Sequence, residues 1–256
     1  TCNGNQKKLT DRVEIVEELL DTCHGFGILF KNTKRKSNFQ YLLKDLNDIF
    51  WNALYIFGRK LYYMNVTPAQ ISELIKKRRA IFPKMFNDYP IPKEIIEVIL
   101  ENANWAPTHR LTEPWRFKVF TGKALEGLGQ YMGNYYKQNT PPELFSEEKY
   151  KKNMENPQRS ACVIAICVQR DPDERVPEWE EIAAVACAVQ NMWLTCTAYG
   201  IGSYWSTPAA ALNAHEFLGL NKGERCLGLF YMGYHDIPEL PGKRRPIEEK
   251  TVWMEE

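Results

Sequence analysis

Long apolar runs are scarce in this sequence of 256 residues. A membrane-spanning helix needs roughly 18 to 20 consecutive apolar residues, whereas the nearest approach, residues 49–57, is short and contains Asn52. That stretch also lies far from the N-terminus, and no small-residue cleavage site follows it, so a signal peptide is not indicated. We therefore expect no membrane partner.

The net charge is also close to zero, because the sequence has 33 Lys plus Arg residues and 32 Asp plus Glu residues. Such a balance gives no general attraction to nucleic acid or to an anionic membrane surface. We expect no nucleic-acid partner, and any charge-based site must be local.

Two kinds of motif are missing. The seven cysteines form no CxxC pair and no Cys/His spacing suited to zinc, so no metal site is predicted. An odd cysteine count without a disulfide framework favours a reducing compartment, and we predict a cytoplasmic protein. No Gly-x-Gly-x-x-Gly follows a strand, so a separate Rossmann module is not supported.

The first quarter of the chain differs in character from the rest. Residues 1–63 contain a basic, polar patch and an aromatic run but no recognisable chemistry. We predict an N-terminal extension of unknown role over residues 1–63 and a main domain over residues 64–256. The extension either packs on the main domain or on a partner subunit, or it is foreign to a fold whose natural start is Met64.

Regular secondary structure is predicted after Met64. Thr67 opens a capping box with Pro at the first helical position, so a helix begins there. Its apolar stripe, Ile71, Leu74 and Ile75, should face the core, and the same face brings Arg78 to the core edge. A half-buried guanidinium needs an anionic partner, and no carboxylate lies nearby at helical spacing.

Further helices and buried strands alternate along the chain. A second helix is opened by Pro92 and stops at Ala106-Pro107. Strands are predicted at residues 117–120, 161–168, 203–206 and 226–233. A long helix over residues 177–199 is apolar nearly all round, which predicts burial on every side and a subunit contact. The alternation favours an α+β or α/β sheet covered on both faces.

Three segments carry candidate chemistry. Lys77-Arg78-Arg79-Ala80 ends the first helix, and arginine forms bidentate, charge-assisted bonds to phosphate. Residues 104–117 contain Ala106-Pro107-Thr108-His109 and Pro114-Trp115-Arg116-Phe117. Residues 200–207 read Gly-Ile-Gly-Ser-Tyr-Trp-Ser-Thr, where glycines permit close backbone approach to a ligand. Each segment alone has an ordinary explanation as a solvated helix end, a surface loop or a helix stop.

Together, these segments resemble the nitroreductase family over about residues 67–253. The resemblance implies that Arg78 and Arg79 surround a flavin phosphate and ribityl chain, with Ala80 in place of the usual Ser. It implies that Trp105 and His109 reach the flavin of the partner subunit.

The resemblance also assigns flavin contacts near the C-terminus. It implies that Trp205, Ser206 and Thr207 contact FMN, and that Lys243 and Arg245 form a basic phosphate contact.

The family's fold and activity follow as expectations. The resemblance implies a homodimeric α+β sandwich, with a central, mostly antiparallel sheet flanked by helices and FMN at the dimer interface. FMN would accept electrons from NAD(P)H and pass them, in a ping-pong cycle, to a small-molecule acceptor such as a nitroaromatic or a quinone. No side chain is expected as a catalytic acid.

Other functions fit the same sequence. Another flavin reaction on this scaffold, such as reductive dehalogenation or an oxidase-type reaction, is one alternative, since a fold does not determine a reaction. A flavin-binding module without turnover and a structural domain are others. Residues 131–152 are a candidate substrate lid.

Overall fold

The computed structural model describes residues 66–239 and 241–255. Residues Thr67–Glu256 form one compact unit. The predicted boundary between residues 63 and 64, and with it the candidate start at Met64, lies outside the described residues and stays a prediction.

Helices and strands alternate through this unit. The helices are α1 (Pro68–Lys77), α2 (Lys93–Asn104), α3 (Lys123–Asn139), α4 (Glu147–Gln158), α5 (Glu178–Ala198), α6 (Ala209–Leu212) and α7 (His215–Leu218). The strands are β1 (Trp115–Phe120), β2 (Cys162–Gln169), β3 (Ile201–Ser206) and β4 (Glu224–Tyr234). Short 3-10 turns lie at Pro83–Met85, His109–Leu111, Pro142–Leu144 and Ile247–Lys250.

The strands form one sheet in the order β1-β2-β4-β3, and every neighbouring pair is antiparallel. Seven residues of β2 are buried, as its continuous apolar run predicts. The register between β2 and β4 shifts between Ile166 and Cys167, opposite Gly228. The predicted α+β class with a mostly antiparallel sheet is therefore confirmed.

Apolar side chains fill both faces of the sheet. On β4, Phe230 belongs to the core cluster that includes α2 and α5, whereas Tyr231 belongs to the cluster that includes α3, α6 and α7. Successive side chains of a strand point to opposite faces, so neighbouring residues supply the two cores. The site elements described below are attached to this double-sided core.

The capping box at Thr67 is present. Thr67 Oγ1 accepts a hydrogen bond from the Gln70 backbone N–H at 3.2 Å, and the Thr67 N–H donates to Gln70 Oε1 at 2.8 Å. The predicted core-facing stripe differs, because no residue of α1 is buried and the side chains of Ile71 and Ile75 are about half exposed. Helix α1 packs beside α5 at the edge of the unit and does not enter the core.

Helix α5 is buried on one side only. Val185, Ala188 and Met192 lie in the core, while Ala183 and Cys187 are exposed. Within the described residues, an apolar side of α5 is thus uncovered, whereas the sequence predicts burial all round. Within the described part of the chain, no helix is long and apolar enough to cross a membrane.

The glycines after α5 have separate roles. Gly200, with φ of 68°, ends the helix, as predicted. Gly202 lies inside β3, which begins at Ile201, two residues earlier than expected. A Cβ on Gly202 would lie 2.7 Å from His235 Cδ2 and 2.9 Å from Ile81. The missing side chain at Gly202 therefore makes room for the side chains of these two residues.

Candidate functional site

A cluster of arginines lies where α1 ends. Arg78 is the C-cap of α1 and its N–H donates to the Leu74 carbonyl oxygen at 3.2 Å. Burial lowers the pKa of Arg78, and the neighbouring charges of Arg244 and Arg79 lower it further. Among the described residues, no carboxylate forms an ion pair with Arg78. The guanidinium keeps its charge and remains suited to an external anion.

The C-terminal segment lies against this cluster. A Cβ on Gly242 would lie 2.4 Å from Arg79 Nη2, so the chain passes within contact distance of the Arg79 side chain. The charge of Arg244 acts on Arg78, and sequence reasoning missed this residue although it stands between the two that were predicted. Lys243 and Arg245 are exposed, and Arg245 Nε lies 4.0 Å from Glu249 Oε2.

Ala80 joins two of the predicted segments. It forms a parallel bridge with Ser203 of β3, and the next residue, Ile81, donates its N–H to the Ser203 carbonyl oxygen at 3.0 Å. The Arg78–Ala80 segment therefore runs beside the strand that leads to Trp205, Ser206 and Thr207.

The end of β3 presents an unpaired polar group. A Cβ on Gly228 would lie 2.4 Å from the Ser206 carbonyl oxygen, 2.7 Å from Trp205 Nε1 and 3.2 Å from Thr207 Cγ2. Trp205 Nε1 is buried and has no hydrogen-bond acceptor in the described protein. A buried N–H without an acceptor is costly, and a ligand acceptor would satisfy it. Ser206 Oγ accepts from the Tyr204 hydroxyl at 3.1 Å.

Trp105 is the C-cap of α2, and His109 lies in the 3-10 turn that follows. Trp105 is 78% exposed, and its Nε1 donates to Glu101 Oε1 at 2.9 Å. His109 Nδ1 lies 2.6 Å from Glu180 Oε2, in the first turn of α5. Because a carboxylate only accepts, this contact fixes Nδ1 as the protonated ring nitrogen. Sequence reasoning missed Glu180, which was visible only as one of three acids opening α5.

The loop after His109 has a strained backbone. Arg110 and Leu111 both have φ of 52°, and Glu113 has φ of 42°. These are three of the four non-glycine residues with positive φ in the described chain. The Thr108 hydroxyl helps to hold the loop by accepting from the Glu113 N–H at 3.2 Å. Such clusters of strain occur preferentially at functional sites.

The single chain does not bring all predicted site residues together. His109 contacts Glu180, whereas Arg78 lies over Trp193 on the same helix α5. Thirteen residues separate Glu180 from Trp193 (193 minus 180), which corresponds to about 20 Å along the helix axis. The arginines and the end of β3 therefore form one group, and His109 lies apart from it.

The candidate lid over residues 131–152 is largely helical. It contains the end of α3, a 3-10 turn and the start of α4. Tyr131 stacks on Phe217 with ring centroids 4.2 Å apart and donates its hydroxyl to the Ala210 carbonyl oxygen. Tyr131 therefore packs on the face of the sheet that carries α3, α6 and α7. The lid function stays a prediction.

Comparison with known proteins gives consistent matches. The nitroreductase family model matches residues 75–234. YfhC of Bacillus subtilis, a candidate NAD(P)H nitroreductase, is 31% identical over 189 residues, covering 72% of this chain and 94% of that protein.

Solved structures share the architecture. A nitroreductase-like family protein from Bacillus cereus is similar with a TM-score of 0.62 and 27% identity, over 76% of this chain and all of that one. The FMN-dependent nitroreductase NfnB of Mycobacterium smegmatis, solved in complex with NADPH, is similar in fold with a TM-score of 0.59 and 20% identity, over 74% of this chain and all of that one.

Proposed function

Because the chain belongs to the nitroreductase family, we propose that it is an FMN-dependent oxidoreductase that passes electrons from NAD(P)H to a small, flat acceptor such as a nitroaromatic or a quinone. The observation that carries this proposal is the half-buried, charged Arg78, which lies near the charges of Arg79 and Arg244 and forms no ion pair with a described carboxylate. The cluster is adjacent in the fold to the unpaired Trp205 N–H.

The residues present fit FMN. A phosphate carries about two negative charges and accepts several hydrogen bonds, which suits a cluster of guanidinium groups. Arg78, Arg79 and Arg244 would hold the phosphate, with Lys243 and Arg245 as further cations near it. Ala80 lacks the hydroxyl of the usual Ser, so a backbone group would replace that contact. FMN, when bound, supplies the redox chemistry, and the protein supplies position and charge.

The ring system of FMN would lie at the end of β3. The buried Trp205 N–H can donate to a flavin acceptor, and Ser206 and Thr207 lie on the same short segment. The cationic cluster would favour an anionic reduced cofactor over a neutral one. No side-chain general acid is needed for this role.

A homodimer would complete the site. The exposed apolar side of α5 and the half-exposed stripe of α1 offer an interface. His109, which contacts α5 about 20 Å from the arginine cluster, and Trp105 would then reach the FMN of the partner subunit. We propose a cytoplasmic location, because an odd number of cysteines without a disulfide framework favours a reducing compartment.

Visible absorption spectra test the proposal directly. Protein purified with FMN, or incubated with it, should show flavin bands that bleach on anaerobic addition of NADPH or NADH. Bands that persist with both donors would indicate a flavin-binding module without turnover. No bands after incubation with FMN would refute the proposal.

Initial-rate kinetics test the ping-pong order. One site that takes NAD(P)H and acceptor in turn gives parallel lines in double-reciprocal plots at several acceptor concentrations. Intersecting lines would show that donor and acceptor are bound together, and the ping-pong part of the proposal would then be wrong.

A further inference from the structure

Trp193 contacts both arginines at the end of α1. Its ring centroid lies 4.4 Å from Arg78 Cζ, and its Nε1 donates to the Arg79 carbonyl oxygen at 3.1 Å. The indole is itself held by the core, because it meets Phe230 edge to face with centroids 5.6 Å apart and planes at 83°. One partly buried side chain thus connects the sheet core to the arginine cluster.

The contact between Trp193 and Arg78 leaves the guanidinium available to bind an anion. A carboxylate would satisfy Arg78 through the same fork of N–H donors that a phosphate needs. An aromatic ring attracts the guanidinium through its face and leaves those N–H donors at the edge unoccupied. The indole therefore stabilises the charge of Arg78 without neutralising it.

The contact with Trp193 also offsets the desolvation of Arg78 and its repulsion by like charges. Arg78 is partly desolvated and lies near the like charges of Arg244 and Arg79, which together lower its pKa. Before an anion binds, these terms push the guanidinium toward solvent. An indole fixed by Phe230 and by the Arg79 carbonyl opposes that movement and keeps the arginine in a binding orientation.

We propose that Trp193 is a positioning residue for phosphate binding, which holds Arg78 charged and with its hydrogen-bonding edge open toward the phosphate of FMN. This inference rests on the proposed function. It concerns the phosphate end of the ligand only, so it predicts a selective effect: loss of Trp193 weakens binding of FMN but not of riboflavin, which lacks the phosphate.

The test compares the two flavins on apoprotein by quenching of flavin fluorescence. For Trp193→Leu, which removes the aromatic face, we expect an FMN Kd about tenfold higher and a riboflavin Kd changed by less than about twofold. Trp193→Phe retains a smaller face and should fall between Trp193→Leu and the wild type. Trp115→Phe is the matched control, because it removes another core indole whose Nε1 donates, at 2.9 Å, to Asn104, and it should leave the ratio of the two Kd values unchanged.

A double-mutant cycle tests whether Trp193 affects FMN binding through Arg78. If Trp193 acts through Arg78, then Trp193→Leu should weaken FMN binding by less than about twofold when Arg78 is already Ala. Equal weakening of FMN and riboflavin in the Trp193 variants would show a merely structural role and overturn the inference. If Trp193→Leu does not fold, Trp193→Phe decides by the same ratio. Wild-type protein that binds neither flavin would instead refute the proposed function itself.

Discussion

Gly228→Ala tests how the sheet shapes the proposed FMN site. Gly228 has φ of 131°, a region that side chains other than glycine's rarely adopt. A Cβ there would lie 2.4 Å from the Ser206 carbonyl oxygen and 2.7 Å from Trp205 Nε1. The nearer neighbour is a backbone atom and the other belongs to a rigid indole ring, so β3 itself must move. The substitution therefore strains β4 and displaces the segment proposed to contact the flavin.

The expected loss of stability follows from two terms. A non-glycine residue in a sparsely populated region of φ and ψ costs about 1–3 kcal/mol. Overpacking a well-filled site costs about 1–3 kcal/mol more. The sum, about 2–6 kcal/mol, is a large fraction of the roughly 5–15 kcal/mol by which domains are stable. We expect Gly228→Ala to lower the free energy of unfolding by this amount and to lower the FMN content of the purified protein.

Urea unfolding of the apoprotein, followed by tryptophan fluorescence, measures the first effect without the added stability of a bound ligand. Gly127→Ala is the control, because no atom lies within 4 Å of the new Cβ and the residue is inside α3. That variant should be as stable as wild type or more so by up to about 1 kcal/mol. The reasoning would be refuted if Gly228→Ala unfolded within about 1 kcal/mol of wild type and retained FMN normally.

Three further predictions follow from other parts of the unit. Cys187→Arg places a charge on the exposed side of α5, so sedimentation should show a monomer that has lost FMN. The control Ala124→Arg, at an exposed position of α3, should remain a dimer. A dimeric Cys187→Arg variant would argue against this interface. Glu180→Ala removes the carboxylate that accepts the hydrogen bond from His109 Nδ1–H. The ¹⁵N NMR shifts of the imidazole ring should therefore show loss of the Nδ1–H tautomer. Unchanged shifts would contradict the assigned contact. The side chain of Arg175 lowers the pKa of Asp171 below its ordinary 3.8 against the opposing effect of burial, so this carboxylate stabilises the fold above about pH 4 and less as pH falls through its depressed pKa. Asp171→Asn should therefore lower the urea midpoint at pH 7, and the difference from wild type should shrink as the pH falls below about 4. A constant difference would show that the charge is not responsible.

Local sequence signals determined most of the secondary structure. The capping box at Thr67, the proline before α2 and the apolar run of β2 each produced the predicted element, because caps, proline geometry and burial periodicity act over a few residues. The family resemblance followed from short motifs in the same way. Errors occurred at ends of elements, as at β3, where Gly202 joins the strand instead of ending the helix.

The assembly of the candidate site depended on contacts between distant segments. The bridge from Ala80 to Ser203, the position of Arg78 over Trp193, the contact of Glu180 with His109 and the effect of Arg244 on Arg78 have no local signature. Each of them requires the strand order and the placement of α5, which arise from packing over the whole domain.

The exposed sides of α1 and α5 also depend on the tertiary structure and not on the sequence pattern alone. Their apolar residues predict burial, but hydrophobic periodicity does not say which surface covers them. Only the tertiary structure decided that the domain's own core leaves Ile71, Ile75 and Cys187 uncovered, because the sheet has room for one side of α5 and α1 lies at its edge.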